Sequence, residues 1–577
     1  MQRGNLIRLL AFFTAGTMFM TSFAGAKQPE ITKALTFSGA YLAGRAAAGD
    51  NHMDLAVAYF RQASAFKIPD KTMSNDLQHD ILIMLLVDGN FKEAVEQANS
   101  IKDESSRDHF YHLTLATDDF IKNKYENVKK HLKFKNPSEL ENITSGLLNA
   151  WAVFGSGDRN KAINSLKKLR GPVSYDIFVN YHMALMSDIA GKKQDAERYY
   201  SKALANRQAG IASPDTYERI INAYASFQSR NNNKEGALKT IQIGEQNFSG
   251  RNIFKNMRIQ IEKNLPLDML VKTPQDGAGE ALYNIGTSVK GELSENFSLL
   301  YLQLVLALRP QNDATLYQIA SILSQTSSKD KAIDFYKKIA PNSFYSDDAK
   351  TNLAFNLADL NDTEGAIKLL GELEQKYPDD QAISLALAGI YLAKTKDYGK
   401  AVEVMDRAIA HIPDTKKRDW FLYNIRGMAE ERSNLWDKAE TDFRKALELS
   451  PDQPDVLNYL GYSLIVRNEK LDEALKMVKR AVALSPQNGE IVDSLGWAYF
   501  KLGRYDDAVI TLEQAIKLKP GEATINDHLG DAYWKVGRKL EATYQWKHAL
   551  AYNPEPEDIA KIEEKLKVGL KDQNTSQ

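Results

Sequence analysis

Asp108, His109 and His112 are the side chains whose types and spacing come closest to a metal site in this sequence. A carboxylate and two imidazoles at helical spacing supply the oxygen and nitrogen ligands that zinc accepts. The sequence places no further carboxylate or histidine reliably beside them. We therefore favour the interpretation that these residues form a polar helix face, and we predict no metal site.

Two other segments partly resemble ligand-binding loops. Gly277 and Gly279 precede a helix as the glycines of a nucleotide-binding turn do, but no strand precedes them, so we interpret them as part of a connection between helices. The segment from Asp359 to Gly365 is rich in acids, yet it lacks the ligand spacing of a calcium loop and falls in a hairpin turn. Neither segment predicts a bound ligand.

The composition and the motif content argue against catalysis. No phosphate-binding P-loop, nucleophile elbow or zinc-protease motif occurs. The absence of cysteine removes thiol nucleophiles, thiolate metal sites and disulfides. Lys and Arg (74) nearly balance Asp and Glu (75), so no overall field favours nucleic acid. We predict no catalytic residues, no cofactor and no nucleic-acid partner.

A repeat of 34 to 35 residues organises the C-terminal half of the chain. A repeat of this length predicts stacked helical hairpins. The repeated positions are Gly427, Gly461, Gly496 and Gly530, then Ala439, Ala474, Ala508 and Ala542, then Pro451, Pro486, Pro520 and Pro554.

Small residues at fixed positions explain how each hairpin closes. Gly496 and Ala508 are expected to face each other across one hairpin, and Ala515 to meet the next, because small side chains let helix axes approach closely. Pro520 cannot donate a backbone hydrogen bond and disfavours helix at the residue before it, so it ends the second helix.

This pattern resembles the tetratricopeptide repeat family. The residues that carry the resemblance are Val492, Leu495, Gly496, Tyr499, Ala508, Leu512, Ala515 and Pro520 in one unit, Leu529, Gly530, Tyr533, Ala542, Trp546, Ala549 and Pro554 in the next, and Tyr423, Gly427, Ala439, Phe443, Ala446 and Pro451 in a third. A fourth unit matches with one inserted residue. The resemblance implies an all-α, right-handed α-solenoid.

Weaker matches extend the repeats upstream, through Pro413 and Pro378 among others, to about eight units. About six degenerate units precede them. We predict a signal peptide at 1–26, a degenerate array at 27–263, a linker at 264–276, a second array at 277–554, a capping helix at 555–570 and a disordered tail at 571–577. The linker, with two prolines and no helical period, would separate two lobes.

The resemblance also implies which side chains line the concave groove, because the first helix of each unit presents fixed positions around its glycine. The groove candidates are Asn458, Tyr462, Asp493, Trp497, Phe500, Lys501, Asp527, Asp531, Trp534 and Lys535. Aromatic rings flanked by polar groups are typical of recognition surfaces. The alternative is that Trp497 and Trp534 pack against the adjacent repeat. The three aspartates favour a basic or mixed peptide over a C-terminal carboxylate.

The N-terminus predicts export. Arg3 and Arg8 precede an apolar run that ends in Ala24-Gly25-Ala26, as in a cleaved signal peptide, with an uncleaved anchor as the alternative. No other segment is predicted to span a membrane. The absence of cysteine excludes lipid attachment at this site.

These features favour a non-enzymatic scaffold or adaptor in the periplasm or cell envelope that binds a protein or peptide. Exported multi-repeat proteins that look similar include adaptors of carboxyl-terminal processing proteases, so such a protease or its substrate is a candidate partner. The alternatives are an assembly factor for envelope polysaccharide or outer-membrane proteins, and a repeat protein associated with an enzyme.

Overall fold

The computed structural model describes residues 33–570, except for residues 51, 67–70, 103–107, 135, 249, 290–293, 327 and 413–414. The predicted signal peptide (1–26), the predicted tail (571–577) and Pro413 lie outside the described residues. The described residues form thirty-one α-helices, one π-helical turn and one 3-10 turn, with no β-strand among them. The predicted all-α solenoid class is confirmed.

The chain divides into two compact units, one ending at Leu373 and the other beginning at Glu374. The helices up to the end of the first unit are α1 (Phe37–Gly49), α2 (Met53–Ser64), α3 (Lys71–Val87), α4 (Phe91–Ser100), α5 (His109–Ile121), α6 (Tyr125–His131), α7 (Glu139–Gly155), α8 (Arg159–Lys167), α9 (Tyr175–Ile189), α10 (Lys193–Ala205), α11 (Arg207–Ala212), α12 (Pro214–Arg230), α13 (Lys234–Asn247), α14 (Asn252–Glu262), α15 (Pro274–Gly286), α16 (Ser294–Leu308), α17 (Asp313–Leu323), α18 (Lys329–Lys337), α19 (Ser346–Asp359) and α20 (Thr363–Lys376). The helices of the second unit are α21 (Gln381–Ile390), α22 (Tyr398–Ala410), α23 (Trp420–Arg432), α24 (Trp436–Leu449), α25 (Pro454–Val466), α26 (Leu471–Leu484), α27 (Gly489–Lys501), α28 (Tyr505–Leu518), α29 (Ala523–Lys535), α30 (Lys539–Ala551) and α31 (Pro556–Val568).

The repeat glycines lie where two helices of a hairpin approach most closely. A Cβ added at Gly496 would lie 2.5 Å from Leu512 Cγ, and one added at Gly530 would lie 2.5 Å from Trp546 Cδ1. Ala508, across the hairpin from Gly496, is fully buried. The predicted hairpin register is therefore present, and it rests on side chains too small to separate the helices.

The prolines end the second helix of each hairpin as predicted. The residues before them, Ser450, Ser485 and Lys519, have left the helical region, with φ values of −144°, −136° and −142°. This follows because proline's ring clashes with a helical conformation at the preceding residue.

The predicted linker at 264–276 is not the place where the chain divides. The two compact units meet between Leu373 and Glu374 in the sequence. Residues 265–272 are non-helical, but Leu267 and Val271 are buried in the core of the first unit. Helix α15 begins directly afterwards at Pro274, with Thr273 as its N-cap. The buried apolar side chains anchor this segment within the first unit, so it does not separate two lobes.

Gly277 and Gly279 lie inside α15, and not in a connection between helices as the sequence suggested. A Cβ at Gly277 would lie 2.3 Å from Cδ2 of Trp151, whose side chain is fully buried in α7. The glycine is therefore required because helix α15 packs directly on an indole ring.

Helices α15 and α16 pack back onto the degenerate N-terminal array. Helix α15 contacts α5, α7, α9 and α12, and α16 contacts α3, α4 and α5. The face of the array that these two helices cover is thus occupied by the chain itself. The periodicity of the sequence did not indicate this long-range packing.

A buried ion pair joins α15 to the array. Arg219 Nη2 lies 2.5 Å from Glu280 Oε2, and both side chains are almost fully buried. Tyr181 donates its hydroxyl to Glu280 at 2.9 Å. Burial opposes ionisation of Glu280, but the Arg219 guanidinium more than offsets that effect and holds the pKa of Glu280 below its usual value.

A buried histidine completes this polar layer. Trp151 donates its indole N–H to His182 Nδ1 at 3.0 Å, so His182 Nε2 carries the proton that faces Asn284 Oδ1 at 3.2 Å. Burial lowers the pKa of His182 to about 4, so the ring is neutral at physiological pH.

Candidate functional site

The ten predicted groove residues lie on three consecutive first helices of the second unit. Asn458 and Tyr462 are on α25, Asp493 to Lys501 on α27, and Asp527 to Lys535 on α29. Helix α27 contacts both α25 and α29. Residues at the same distance from each repeat glycine therefore lie side by side in rows.

Trp497 is enclosed by two other rings. His528 of the next repeat stacks on it at 3.9 Å between ring centroids, and Phe500 stacks at 4.7 Å, with interplanar angles of 11° and 4°. The indole is half-buried between these contacts. Lys501 Nζ lies 5.2 Å from the Trp497 ring centroid. The indole packs against the adjacent repeat, as the alternative interpretation held.

Asp493 is paired with the same histidine. His528 Nδ1 lies 3.0 Å from both Asp493 carboxylate oxygens, and both residues are buried. Burial lowers the pKa of His528, but the Asp493 carboxylate more than offsets this and leaves that pKa above its usual value. The Asp493 carboxylate therefore has its partner within the chain.

Asp527 and Asp531 hold a lysine of the last helix. Lys565 Nζ lies 2.8 Å from both oxygens of Asp527 and 2.8 Å from Asp531 Oδ2. The other Asp531 oxygen accepts the indole N–H of Trp546 at 2.9 Å. Burial, followed by repulsion from Asp527, raises the pKa of Asp531 to about 6.

The end of α31 covers Trp534. This ring lies 5.4 Å from the Trp546 ring, and a Cβ at Gly569 would lie 2.1 Å from Trp534 Cζ2. Lys535, one residue further along α29, places Nζ 5.9 Å from the Tyr505 ring centroid.

The predicted acidic lining is therefore already paired within the chain, with one lysine shared by Asp527 and Asp531. All three aspartates of the lining have a cationic or ionisable partner from a neighbouring helix. The predicted preference for a basic or mixed peptide assumed unpaired carboxylates. The sequence showed the three aspartates but not the side chains of neighbouring helices that pair with them.

Two asparagines, Asn424 and Asn458, form an asparagine row in the predicted groove. Asn424 and Asn458 lie three residues before Gly427 and Gly461, in the position that Asp493 and Asp527 occupy in later repeats. The Oδ1 atom of each asparagine is buried and accepts no hydrogen bond from the described residues. The groove prediction omitted Asn424, although the same arithmetic applied to Gly427 finds it.

Tyr462 stands beside this row. Burial raises the pKa of its phenol, and the carboxylates of Asp493 and Asp558 raise it further. Asp558 lies near the start of α31.

Comparisons with known proteins agree with this architecture. Residues 357–418 and 426–489 match family models described as tetratricopeptide repeat, and residues 496–537 match one described as TPR repeat. These segments are tetratricopeptide repeats.

Curated relatives match part of this chain. The TPR repeat-containing protein PA4667 of Pseudomonas aeruginosa is 24% identical over 192 residues, which cover 33% of this chain and 32% of the relative. BBSome complex member BBS4 of Bos taurus is 29% identical over 126 residues, covering 22% and 21%. The chain thus matches about a third or less of the length of these relatives.

Solved structures with similar helices include a tetratricopeptide repeat protein from Parabacteroides merdae. It has 17% identity and a TM-score of 0.39, over 45% of this chain and 100% of its own. The APC/C heterotetramer Cut9-Hcn1 has 13% identity and a TM-score of 0.36, over 93% and 96%. Among the described helices of the present chain, none is both long and apolar enough to cross a bilayer.

One tetratricopeptide position in the second unit carries an acid where an apolar or aromatic residue is usual. Glu430 lies three residues after Gly427, where the next three repeats have Leu464, Tyr499 and Tyr533. Its side chain is buried, and Oε2 accepts no hydrogen bond from the described residues. Burial, followed by repulsion from Asp442, raises the pKa of Glu430 to about 7.

Replacing Glu430 by Gln is expected to stabilise the second unit at pH 8 but not at pH 5. The folded pKa lies above that of the unfolded chain, so wild-type stability falls as pH rises between these values and stays low above about 7. Replacing the titrating carboxyl by an amide should raise the free energy of unfolding by on the order of 1 to 3 kcal/mol at pH 8. Urea unfolding at both pH values measures this. Glu448→Gln, on an exposed site of α24, is the control, and an equal gain at both pH values would contradict the assignment.

The Asp108, His109 and His112 segment has structural partners. Asp108 caps α5 by accepting the Tyr111 N–H at 2.9 Å and lies 2.8 Å from His79 Nε2. His109 Nε2 lies 2.5 Å from the Tyr301 hydroxyl. The described residues contain no group of three or more ligands placed for a metal.

The acidic segment from Asp359 to Gly365 forms the turn between α19 and α20, as predicted. Asn361 has a φ of 66°, and Asp362 accepts the Gly365 N–H at 3.0 Å as a helix cap. Its carboxylate thus starts a helix.

Proposed function

We propose that this protein is a non-enzymatic scaffold that binds a protein partner along the groove of its second unit, at Asn424, Asn458 and Tyr462. The observation that carries the proposal is the pair of buried Oδ1 atoms, at one position of adjacent repeats, that accept no hydrogen bond from the part of the chain that the structure describes. A buried acceptor without a partner costs free energy, and a bound segment that moves the side chains covering these atoms and donates to them removes that cost. Backbone N–H groups of a bound segment are donors of this kind.

The first unit supports this choice of groove. Helices α15 and α16 cover its degenerate array, and the ion pair between Arg219 and Glu280 holds α15 there. A partner binding at that face would have to displace a buried charge pair, which is expensive. The second unit is the better candidate for binding.

The double variant Asn424→Ala, Asn458→Ala is expected to reduce partner capture by about tenfold or more, since each lost hydrogen bond contributes roughly 0.5 to 1.5 kcal/mol. Capture is measured by photocrosslinking from position 462 in cells, followed by mass spectrometry of the adduct. Gln514→Ala, an exposed amide on α28, is the control. Capture of the same partner at wild-type yield by the double variant would refute the assignment.

We also propose that the protein acts in the cell envelope. Support comes from Arg3, Arg8 and the apolar run ending at Ala26, which have the form of a signal peptide. Fractionation of cells that express the full chain tests this, since export requires recovery with periplasmic or envelope markers and a mature N-terminus near residue 27.

Within the envelope, we propose a carboxyl-terminal processing protease or its substrate as the partner class, on the architectural resemblance to adaptors of such proteases. Deletion of the protein should then stabilise a protease substrate. If deletion instead alters export of polysaccharide or outer-membrane proteins, the assembly-factor alternative is correct.

A further inference from the structure

Helix α31 is held to the second unit by few buried side chains. Ile562 is its one buried residue, whereas Ile559 and Val568 are exposed. Its main polar anchor is Lys565, seated between Asp527 and Asp531 at 2.8 Å from each. Leu566, also in α31, is partly buried and packs against the same core. A helix attached by so few apolar contacts and one ionic anchor can be exchanged for another helix that supplies them.

The seat of Lys565 is built by the repeats themselves. Asp527 and Asp531 project from the same helix, α29, one turn apart. The Trp546 indole fixes the Asp531 carboxylate from α30, without any contribution from α31. Trp534 lies beside them and closes on the end of α31 at Gly569. The position of the Asp531 carboxylate therefore does not depend on α31.

Helix α31 meets the predicted groove at α29. Its Lys565 lies against Asp527 and Asp531, two of the predicted groove residues. The Asp558 carboxylate, near the start of the same helix, contributes to the raised pKa of Tyr462 on α25. The remaining charge pattern is acidic on the groove side, at Asp527 and Asp531, and cationic on the helix side.

We propose that the surface beneath α31 takes a partner helix that carries a lysine or arginine, with an apolar residue three positions before it. In the free protein α31 occupies this surface as an internal ligand, with Lys565 and Ile562 in those two places. The recognition mode is an amphipathic helix in a groove, with a cation seated between two carboxylates. This inference rests on the proposed function, since it names the helix by which a partner engages the same groove.

A full-length chain with Lys565→Glu tests the inference, using a fluorescent peptide with the sequence of residues 555–570 as the probe. The introduced carboxylate would face Asp527 and Asp531, so α31 should leave and its amides should exchange faster. The peptide should then bind the variant at least about tenfold more tightly than wild type, in which the tethered helix competes at high effective concentration. A peptide with Glu in place of the lysine should not bind. Lys567→Glu, an exposed site on the same helix, is the matched control and should behave as wild type.

Two results would overturn the proposal. One is release of α31 in the Lys565→Glu chain with no peptide binding, which would mean that the surface does not take helices in trans. The other is faster exchange throughout α29 and α30, which would make α31 an inseparable part of the last repeat. Neither result depends on the capture experiment with the asparagine variants, so failure here and failure of the proposed function are distinguishable.

Discussion

Replacing Glu280 by Ala should destabilise the first unit by about 3 to 5 kcal/mol, the effect expected when one member of a buried ion pair is removed. Arg219 would keep its charge in a buried site, 4% exposed, with its carboxylate partner gone. Tyr181 would lose a hydrogen-bond acceptor at the same time. Hydrogen exchange of α12 and α15 and the thermal melting of the chain measure the loss.

Two controls separate the buried charge from other effects of this change. Glu235→Ala removes a carboxylate that pairs with Lys239 on the surface, where the two side chains are 81% and 72% exposed, and should leave the stability close to that of wild type. The double variant Arg219→Met, Glu280→Met replaces both charges by apolar groups and should be more stable than Glu280→Ala alone. Exchange in α15 equal to that of wild type after Glu280→Ala would show that the pair does not hold this helix.

The prediction connects stability with the choice of binding surface. As long as α15 and α16 stay in place, the degenerate array presents no open face beneath them. A variant that loosens α15 would expose Trp151 and other apolar side chains. The first unit would then present an apolar patch that favours non-specific association. The specific binding that we propose for the second unit would thus require the first unit to remain closed.

The hairpins were predictable because their determinants are local. Gly496, Ala508 and Pro520 act within one repeat, so a fixed period in the sequence reports their contacts directly. The packing of α15 on the N-terminal array could not be predicted in this way. Its contacts, such as Glu280 with Arg219, join residues 61 positions apart and follow no period of the sequence.

The groove stays a prediction, and the sequence located only the helices that carry its residues. The repeat arithmetic placed Trp497 and Asp527 on the correct helices, but their availability depends on His528 and Lys565 from the helices that follow. The position of a residue in the repeat predicts which face of the helix it lies on. It does not predict which side chain of the next helix packs against it. Asn424 and Asn458 differ from Trp497 and Asp527 because no side chain among the described residues donates a hydrogen bond to their Oδ1 atoms.

Replacing Ala515 by Glu should cost several kcal/mol and melt the last repeats of the second unit first. Ala515 is fully buried in α28, where it contacts the core formed with Val492 and Ile525 of two successive first helices. A glutamate there either buries an unpaired charge or forces α28 away from both helices. Hydrogen exchange of α27 to α29, together with the melting temperature, measures the effect.

The control for this change lies on the same helix. Ile510→Glu places the same side chain at a site that is 60% exposed, so it should leave stability within about 0.5 kcal/mol of wild type. Ala446→Glu, at the equivalent buried position two repeats earlier, should reproduce the loss seen at Ala515. Near-wild-type melting of both alanine variants would mean that the repeats pack in another register. The rows of asparagines and aspartates assigned to the groove would then have to be redrawn, because they are counted from the same glycines.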